Sequence, residues 1–526
     1  MKNSNNRNVY LVGGGIASLA SAAYFIKEGG IAGDHITIYE ELEVAGGSLD
    51  GSGSAEKGYI LRGGRMLNFS YVCTYDLFSF IPSLTNPAVT VYDEIRAFNK
   101  KIKTHANARV IADGKIEDVS LMDFSNQDRL DLIEMMAVSE EYLGSKRIDD
   151  WFEDDFFKTN FWYMWDTMFA FQPWHSAVEF KRYLHRFLHE FERINTLAGV
   201  DRTPYNQYDS LVKPLIKWLQ DQGVNFKMGA EVTDVDFTNF RGTEMVDCLH
   251  YIQNKNKKEV HFSANDLLLV TIGSMTADSS LGSMSSAPKL ITDKTDGSWK
   301  LWHSITKQSP LFGRPFIFDS RIDESKWESF TVTCQGTEFF DLMEQFTDNV
   351  AGTGGLVTFK DSNWLMSIVL PHQPHFIDQP KEVTVFWGYG LFPDNEGNYV
   401  KKQMSDCSGA EIMQELLGHL HFDEATEYLL KTSICIPCML PYITSQFLTR
   451  VKGDRPQVVP ENYKNIAFIG QFAEVPEDVV FTVEYSVRTA QTAVYTLLGL
   501  DKKPTPMYHG DQHLSVLFDA AKTLLT

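Results

Sequence analysis

The chain opens with a strand-forming segment, Asn8 to Val12 (NVYLV), that runs straight into Gly13-Gly14-Gly15-Ile16-Ala17-Ser18 and then into the apolar helical run LASAAYFIKEG. Strand, glycine turn and helix in that order form the first half of a dinucleotide-binding βαβ unit. Gly13 makes the turn, Gly14 and Gly15 let a pyrophosphate come close, and the helix start at Ile16 and Ala17 offers unpaired amides. Ser18 stands where the GxGxxG pattern has its third glycine, and is small enough to pack helix on strand. HITIYE reads as a second strand ending in Glu40, and 40 − 13 = 27 residues separate this acid from the first glycine. That is the place for a carboxylate that takes a ribose hydroxyl. These features commit the chain to an open, largely parallel α/β sheet.

A second glycine cluster, Ala45-Gly46-Gly47-Ser48-Leu49-Asp50-Gly51, follows just past that acid. A nicotinamide dehydrogenase has no need of it, whereas two-dinucleotide-binding-domain flavoproteins use such a segment to cover the cofactor diphosphate. FAD is therefore expected, with Gly47 and Ser48 as contacts. Later segments agree. KMGAEVTDVDF, which contains Val232, reads as one strand returning to the adenine end, and DLLLVTIG reads as a strand ending in a tight turn just before Ser274. NIAFIG is a late strand, followed by a segment that carries Phe481 and Thr482 and becomes helical, with its N-terminus aimed at the polar edge of the flavin. The stretch from Arg62 to Phe78, RGGRMLNFSYVCTYDLF, opens on Gly63-Gly64, which lack the Cβ that keeps a bound ring system away. Gly63, Gly64, Arg65 and Met66 are placed beside the cofactor. The expected fold class is α/β, with a Rossmann-like FAD domain discontinuous in sequence (1–110, 201–276 and 441–500). An aromatic-rich helical pocket region (111–200), a substrate domain (277–440) and a C-terminal amphipathic helix (501–526) complete it.

At 526 residues the chain exceeds one ordinary core, and with 43% hydrophobic residues it can bury a large interior. A formal charge of −21 disfavours nucleic acid and weakens any attraction to anionic lipid. Its cysteines (Cys73, Cys248, Cys334, Cys407, Cys435, Cys438) make no disulfide framework, which fits a reducing cytoplasm. Cys435-Ile-Pro-Cys438 has CxxC spacing but no second pair for zinc, so buried structural thiols are preferred to a redox pair. His372 and His375 read as loop histidines, and no metal site is expected. MKNSNNRN leads into a short apolar run broken at glycines, without the features of a signal peptide, and no stretch reaches transmembrane length.

The segment from Trp151 to Phe191 is helical and dense in aromatic residues. Plain core is the commoner reason for such a run, and the wall of a long apolar pocket is the other. In the tail LSVLFDAAKTLLT, Leu514, Leu517, Ala521, Leu524 and Leu525 share a helical face. Only Lys522 is basic there, so packing on the body of the protein is preferred to a membrane-surface helix.

RGGR with CxYDLF, FQPWHSAVEFKRYL, RTPYNQYDSL, GNYVKK, LPYITSQF and PEDVVFTVEYSVR, in this order over nearly the whole chain, together resemble the oleate hydratases, also called the myosin-cross-reactive-antigen family. The resemblance implies an FAD enzyme that adds water across the cis double bond of an unsaturated fatty acid to give a hydroxy fatty acid, with no net redox change. It also implies a C-terminal helical part in contact with membrane, and a monomer or homodimer. The family pattern is RGGRE, whose glutamate handles the attacking water; Met66 stands at that position here, and Asn68 at the next family acid. The tyrosine that protonates the alkene aligns at Tyr183, with Tyr205 and Tyr208 as neighbouring candidates.

Hydration of an isolated alkene requires a positioned acid, stabilisation of the developing carbocation, and a water held on the opposite face. Tyr183 can donate. Met66 offers only a weak thioether acceptor, whereas an Asn68 amide can orient a water without deprotonating it. The flavin is expected to act through shape and charge, with hydration faster on the reduced, anionic ring. A redox flavoprotein resembling amine oxidases or carotenoid desaturases, and an inactive lipid-binding relative, are the alternatives.

Overall fold

Parallel strands buried on both faces are made of near-continuous apolar runs, and this chain has several such runs far apart in sequence. In the computed structural model, which describes residues 7–64, 66–240 and 242–525, they assemble into one five-stranded parallel sheet. Its order is Ile466–Ile469, Leu267–Thr271, Val9–Val12, Ile36–Tyr39, Asn225–Lys227. The helix Ile16–Lys27 crosses between the two N-terminal strands and packs against the helix Val483–Leu498 that follows the last one. Four of these strands end at a common edge, at Gly13, Glu40, Ile272-Gly273 and Gly470. That edge is where an open parallel sheet binds its ligand.

KMGAEVTDVDF is two strands, not the one expected. Asn225–Lys227 completes the parallel sheet, and Ala230–Phe240 starts a separate antiparallel sheet with Thr243–Gln253 and Asn256–His261. Gly229, at φ +62°, makes the turn between them.

A mixed sheet of eight strands forms the second body, with Ser433–Leu440, Trp327–Gln335 and Val383–Gly390 at its centre. Side chains alternate across a strand. Phe330, Val332 and Phe386 therefore face a core closed by the helices Glu338–Thr347 and Gly409–Leu420, while Trp327, Trp387 and Tyr389 face the opposite way. The hairpin Gly51–Ser54/Gly58–Leu61 lies across this second face. Its Tyr59 and Leu61 amides donate to Thr333 Oγ1 and Thr331 Oγ1 at 2.8 and 3.0 Å. The hairpin thus carries the chain from the first sheet to the second and delivers Arg62, Gly63 and Gly64 between them.

The aromatic run divides into the helices Asn160–Phe169 and Ala177–Arg186. Phe156, Phe161, Trp162, Trp165 and Phe180 pack on one another in the core, while Phe169, Tyr183 and Phe187 border a cavity. Both expectations for this run hold, for different residues. All six cysteines are free and buried. Cys435 and Cys438 lie three apart on one strand, on opposite faces, and burial pushes the Cys438 thiol up to about 12. They are structural thiols.

The tail forms the helix Leu514–Leu525, but with a different face inward from the one expected. Ala520 is buried and Val516 and Leu524 pack on the core, whereas Leu514 is 85% and Phe518 71% exposed. No described helix is long and apolar enough to cross a membrane.

Candidate active site

Two cavities flank residues 62–64. The first, of about 1070 Å³, opens at the carboxyl edge of the parallel sheet. Gly13, Gly14, Gly15, Ile16, Ala17, Glu40, Gly47, Ser48, Val232 and Ser274 all line it, as expected from sequence. The helix Ile16–Lys27 begins there with no side-chain cap and no acid in its first turn, leaving amides free for an anion. Gly47 has φ +56°, and a Cβ on it would sit 3.2 Å from Gly15 Cα, inside the channel a diphosphate needs. Glu40 accepts from the Gly14 and Leu42 amides at 2.6 and 2.8 Å, which aims its carboxylate at the strand end; burial raises it above the ordinary carboxylate range. Glycine channel, uncapped helix and strand-end acid fit a dinucleotide.

Several residues that build this cavity were not singled out from the sequence. Arg62 pairs with Asp50 at 2.7 Å and donates to the carbonyls of Gly47 and Thr276, pinning the glycine cluster to the loop after Leu267–Thr271. Gln471 donates to Thr482 O at 2.9 Å and accepts from the Phe481 amide at 2.5 Å. It thereby holds Phe481 at φ +70°, a conformation costly for a large side chain, just before the helix Val483–Leu498. Arg62 heads the RGGR stretch, and Gln471 follows the last strand, so position was the available signal. Their partners lie too far along the chain for it to be decisive.

The second cavity has walls from Gly63, Gly64, Met66, Leu67, Asn68 and Tyr71, the two aromatic helices, the second face of the mixed sheet and Phe481-Thr482-Val483. Arg62 and Ser486 line the first cavity while their neighbours Gly63, Gly64, Thr482 and Val483 line the second, so the two cavities adjoin. Phe481 and Thr482 belong to this second wall. The wall is aromatic: Phe169 stacks on Phe187 with centroids 4.8 Å apart, and Trp327 and Trp387 lie 4.9 and 5.0 Å from Tyr389. Its polar groups are hydroxyls, indole N–H groups and one amide. No carboxylate among the described residues lines it.

Tyr183 lines this cavity, fully buried, and donates its hydroxyl to Val480 O at 2.5 Å. Tyr208 instead packs against the glycine cluster, where a Cβ on Gly46 would lie 3.2 Å from its ring. Neither it nor Tyr205 lines the apolar cavity. Met66 lines the cavity and packs on its apolar wall. Gly63 and Gly64 border it as well, but the close approach at Gly64 is to Trp387, 3.0 Å from a built Cβ, rather than to the dinucleotide cavity. Arg65 lies outside the described residues.

Asn68 differs from expectation. Its amide nitrogen donates to Glu190 Oε1 at 2.8 Å and its oxygen accepts from the Ser70 amide, the Ser70 hydroxyl and His189 at 3.1, 2.6 and 3.2 Å. Both polar atoms of this cavity-lining side chain are thus bonded within the protein.

The parallel sheet and the mixed sheet beside it make an α/β fold that is shared with solved amine oxidases. Cyclohexylamine oxidase from Brevibacterium oxydans IH-35A superposes with a TM-score of 0.53 at 11% identity, covering 94% of this chain and 99% of that one. A putrescine oxidase does so with 0.51 at the same identity and coverage. The chain belongs to the MCRA family, whose model matches residues 6–495. It is 39% identical to an oleate hydratase from Streptococcus pyogenes serotype M49 (strain NZ131), over 94% of this chain and 86% of that protein. It is 35% identical to a linoleate hydratase from Lactiplantibacillus plantarum, over 95% of this chain and 96% of that protein.

Proposed function

We propose that this protein is a fatty acid hydratase, a hydro-lyase that adds water to the cis double bond of an unsaturated fatty acid such as oleate and gives a hydroxy fatty acid. The observation that carries the reading is an aromatic cavity with a buried tyrosine hydroxyl, placed against a dinucleotide cavity. The 39% and 35% identities to oleate and linoleate hydratases support the substrate class.

In this reading FAD occupies the first cavity, held by Gly13 to Ala17, Glu40, Gly47, Ser48, Val232 and Ser274. A bound flavin supplies a ring whose reduced, anionic form favours positive charge nearby. Tyr183 Oη carries the proton destined for the alkene, and loses its Val480 partner when it turns to the substrate. As the proton moves, positive charge grows on the adjacent carbon, and the faces of Phe169, Phe187, Trp327 and Trp387 stabilise it through their quadrupoles. The same apolar wall excludes all but the reacting water. With Met66 in place of a carboxylate and Asn68 consumed by the protein, orientation falls to the Tyr71 hydroxyl, which makes no hydrogen bond to a described side chain; the Thr482 hydroxyl beside it donates to Val479 O at 3.0 Å and accepts from the Tyr485 amide at 3.1 Å, capping the helix. Water attacking a carbocation becomes acidic once its C–O bond forms, so orientation can suffice without a strong base.

Incubation with oleate in H₂¹⁸O, followed by mass spectrometry, tests the reading. A product heavier by one labelled water, formed without loss of oxygen or nicotinamide cofactor, is expected. Stoichiometric oxygen consumption would instead support flavin oxidation of the substrate.

Leu514, Leu517 and Phe518 are exposed on the tail helix, and Arg129 joins that helix to Asn126–Ala137, where Leu130 and Ile133 are exposed too. This apolar surface suits peripheral contact with a lipid layer that delivers the substrate. Given the chain's charge of −21, flotation with neutral phosphatidylcholine vesicles is expected, and its persistence in Leu514→Ser/Phe518→Ser would refute the contact.

A further inference from the structure

The antiparallel sheet that follows Gly229 carries a cluster unrelated to either cavity. Register pairs Asp236 with Cys248, Cys248 with His261, and His250 with Glu259. Paired residues of an antiparallel ladder project to the same face, as do residues two apart on a strand. Five side chains with metal-ligating atoms therefore converge on one face, contributed by all three strands. His250 Nε2 lies 2.7 Å from Asp236 Oδ2, and the ligand atoms of Asp236, Cys248 and His250 all lie within 4.8 Å of one another. Cys248 is only 3% exposed, covered by the groups around it. It is the one cysteine among the described residues that joins such a group.

We propose that this face binds one divalent cation of the zinc class through Cys248 Sγ, His250 Nε2 and the Asp236 carboxylate, with water as the fourth ligand. Sulfur excludes magnesium and calcium, which take oxygen shells, whereas one thiolate, one imidazole and one carboxylate suit tetrahedral zinc. Binding replaces the thiol proton, which leaves to solvent, and turns the His250–Asp236 pair from partners of each other into partners of the metal. Cys248, Glu259 and His261 form a second trio around the same sulfur. The first is preferred because its imidazole is the more enclosed, with 34% of the His250 side chain exposed against 72% for His261. Sequence spacing hides the site, because its ligands stand on paired strands and not in a Cys-x-x-Cys run. The cation would cross-link the strand Ala230–Phe240, whose first residues wall the adenine end of the dinucleotide cavity, to its neighbour.

Titration of untagged, full-length protein with Co²⁺ tests this. The expected result is one equivalent bound, with thiolate-to-cobalt charge-transfer absorption and the visible bands of a tetrahedral centre, displaced by Zn²⁺. Cys248→Ser should abolish the charge-transfer band, and His250→Ala should weaken binding at least about tenfold, while His261→Ala leaves it unchanged. Far-ultraviolet circular dichroism of each variant identifies any that fail to fold, and the two histidine variants, being at the surface, provide the test if Cys248→Ser does. No charge-transfer band in the parent, a band that survives Cys248→Ser, or loss in His261→Ala with retention in His250→Ala would each overturn the proposal.

Discussion

The two cavities are built by opposite means. The dinucleotide cavity is made mostly of backbone: glycine turns, an uncapped helix start and the ends of parallel strands, with Glu40, Glu41, Arg62, Glu231 and Asp296 as its charged side chains. The apolar cavity is made mostly of side chains, drawn from a hairpin exit, two helices and the face of a second sheet. Backbone sites depend on short local motifs and tolerate little change within them. Side-chain sites depend on which distant elements meet, so a single substitution such as one at Met66 changes the chemistry of the wall without touching the fold that carries it.

If the apolar cavity holds the chemistry, Tyr183→Phe should lower hydration by about 10²–10⁴-fold, the usual worth of a positioned acid, with flavin content unchanged by absorbance. Full turnover in that variant would move the acid elsewhere. If the dinucleotide cavity depends on backbone, Gly47→Val should weaken FAD binding about 100-fold, near 2.7 kcal/mol, by flavin fluorescence titration. The valine would need a left-handed φ and would fill the channel beside Gly15.

A smaller effect is expected behind the substrate wall. Glu328 follows Trp327, so it points away from the cavity into core, where neither carboxylate oxygen has a hydrogen-bond partner among the described residues. Burial raises it well above 4.5. Below pH 4.5 it is protonated folded or unfolded and costs no ionisation. As pH climbs toward the folded value, only the unfolded chain ionises freely, so stability falls. Glu328→Met should remove this dependence and raise the melting temperature by about 1 °C at pH 8, for roughly 1 kcal/mol, by scanning calorimetry, with little change at pH 4.5.

The smallest effect separates the cavities by charge. Glu41 lines the dinucleotide cavity, and burial, then Asp296, push its carboxyl up to about 7. Lowering pH from 8 to 6 neutralises it and reduces repulsion of a diphosphate, so FAD should bind roughly 2–5-fold more tightly at pH 6, by an amount set by screened charges. Glu41→Gln should bind nearly equally at both values, and an unaltered pH dependence would assign it to another group.

How much was legible followed the same division. Val9–Val12, the glycine turn, Glu40, Leu267–Thr271, Ile466–Ile469 and Val483–Leu498 could be read directly, because periodicity and glycine act within a few residues of where they are written. KMGAEVTDVDF could not be divided, since Gly229 sits in an otherwise continuous strand pattern and only pairing partners separate its halves. The tail helix was legible as a helix, yet its buried face was set by the core it met: Val516, Ala520 and Leu524 turned inward while Leu514 did not. Asn68 was readable as a polar side chain at the site, but its partners Glu190 and His189 lie more than 120 positions away.

By itself, then, the sequence determined an α/β dinucleotide fold and its family, and narrowed the tyrosine of the site to Tyr183, Tyr205 and Tyr208, of which only Tyr183 lines the apolar cavity. Those conclusions rest on local backbone preference and on motifs kept in order along the chain. Only the tertiary structure decided that residues 62–64 join two cavities, that Gly64 meets Trp387, that no described carboxylate lines the apolar wall, and that the Asn68 side chain is bonded to Glu190, Ser70 and His189. Each of these is a fact about which distant surfaces share a boundary, and burial and hydrogen bonding between such surfaces leave no periodic trace in the chain.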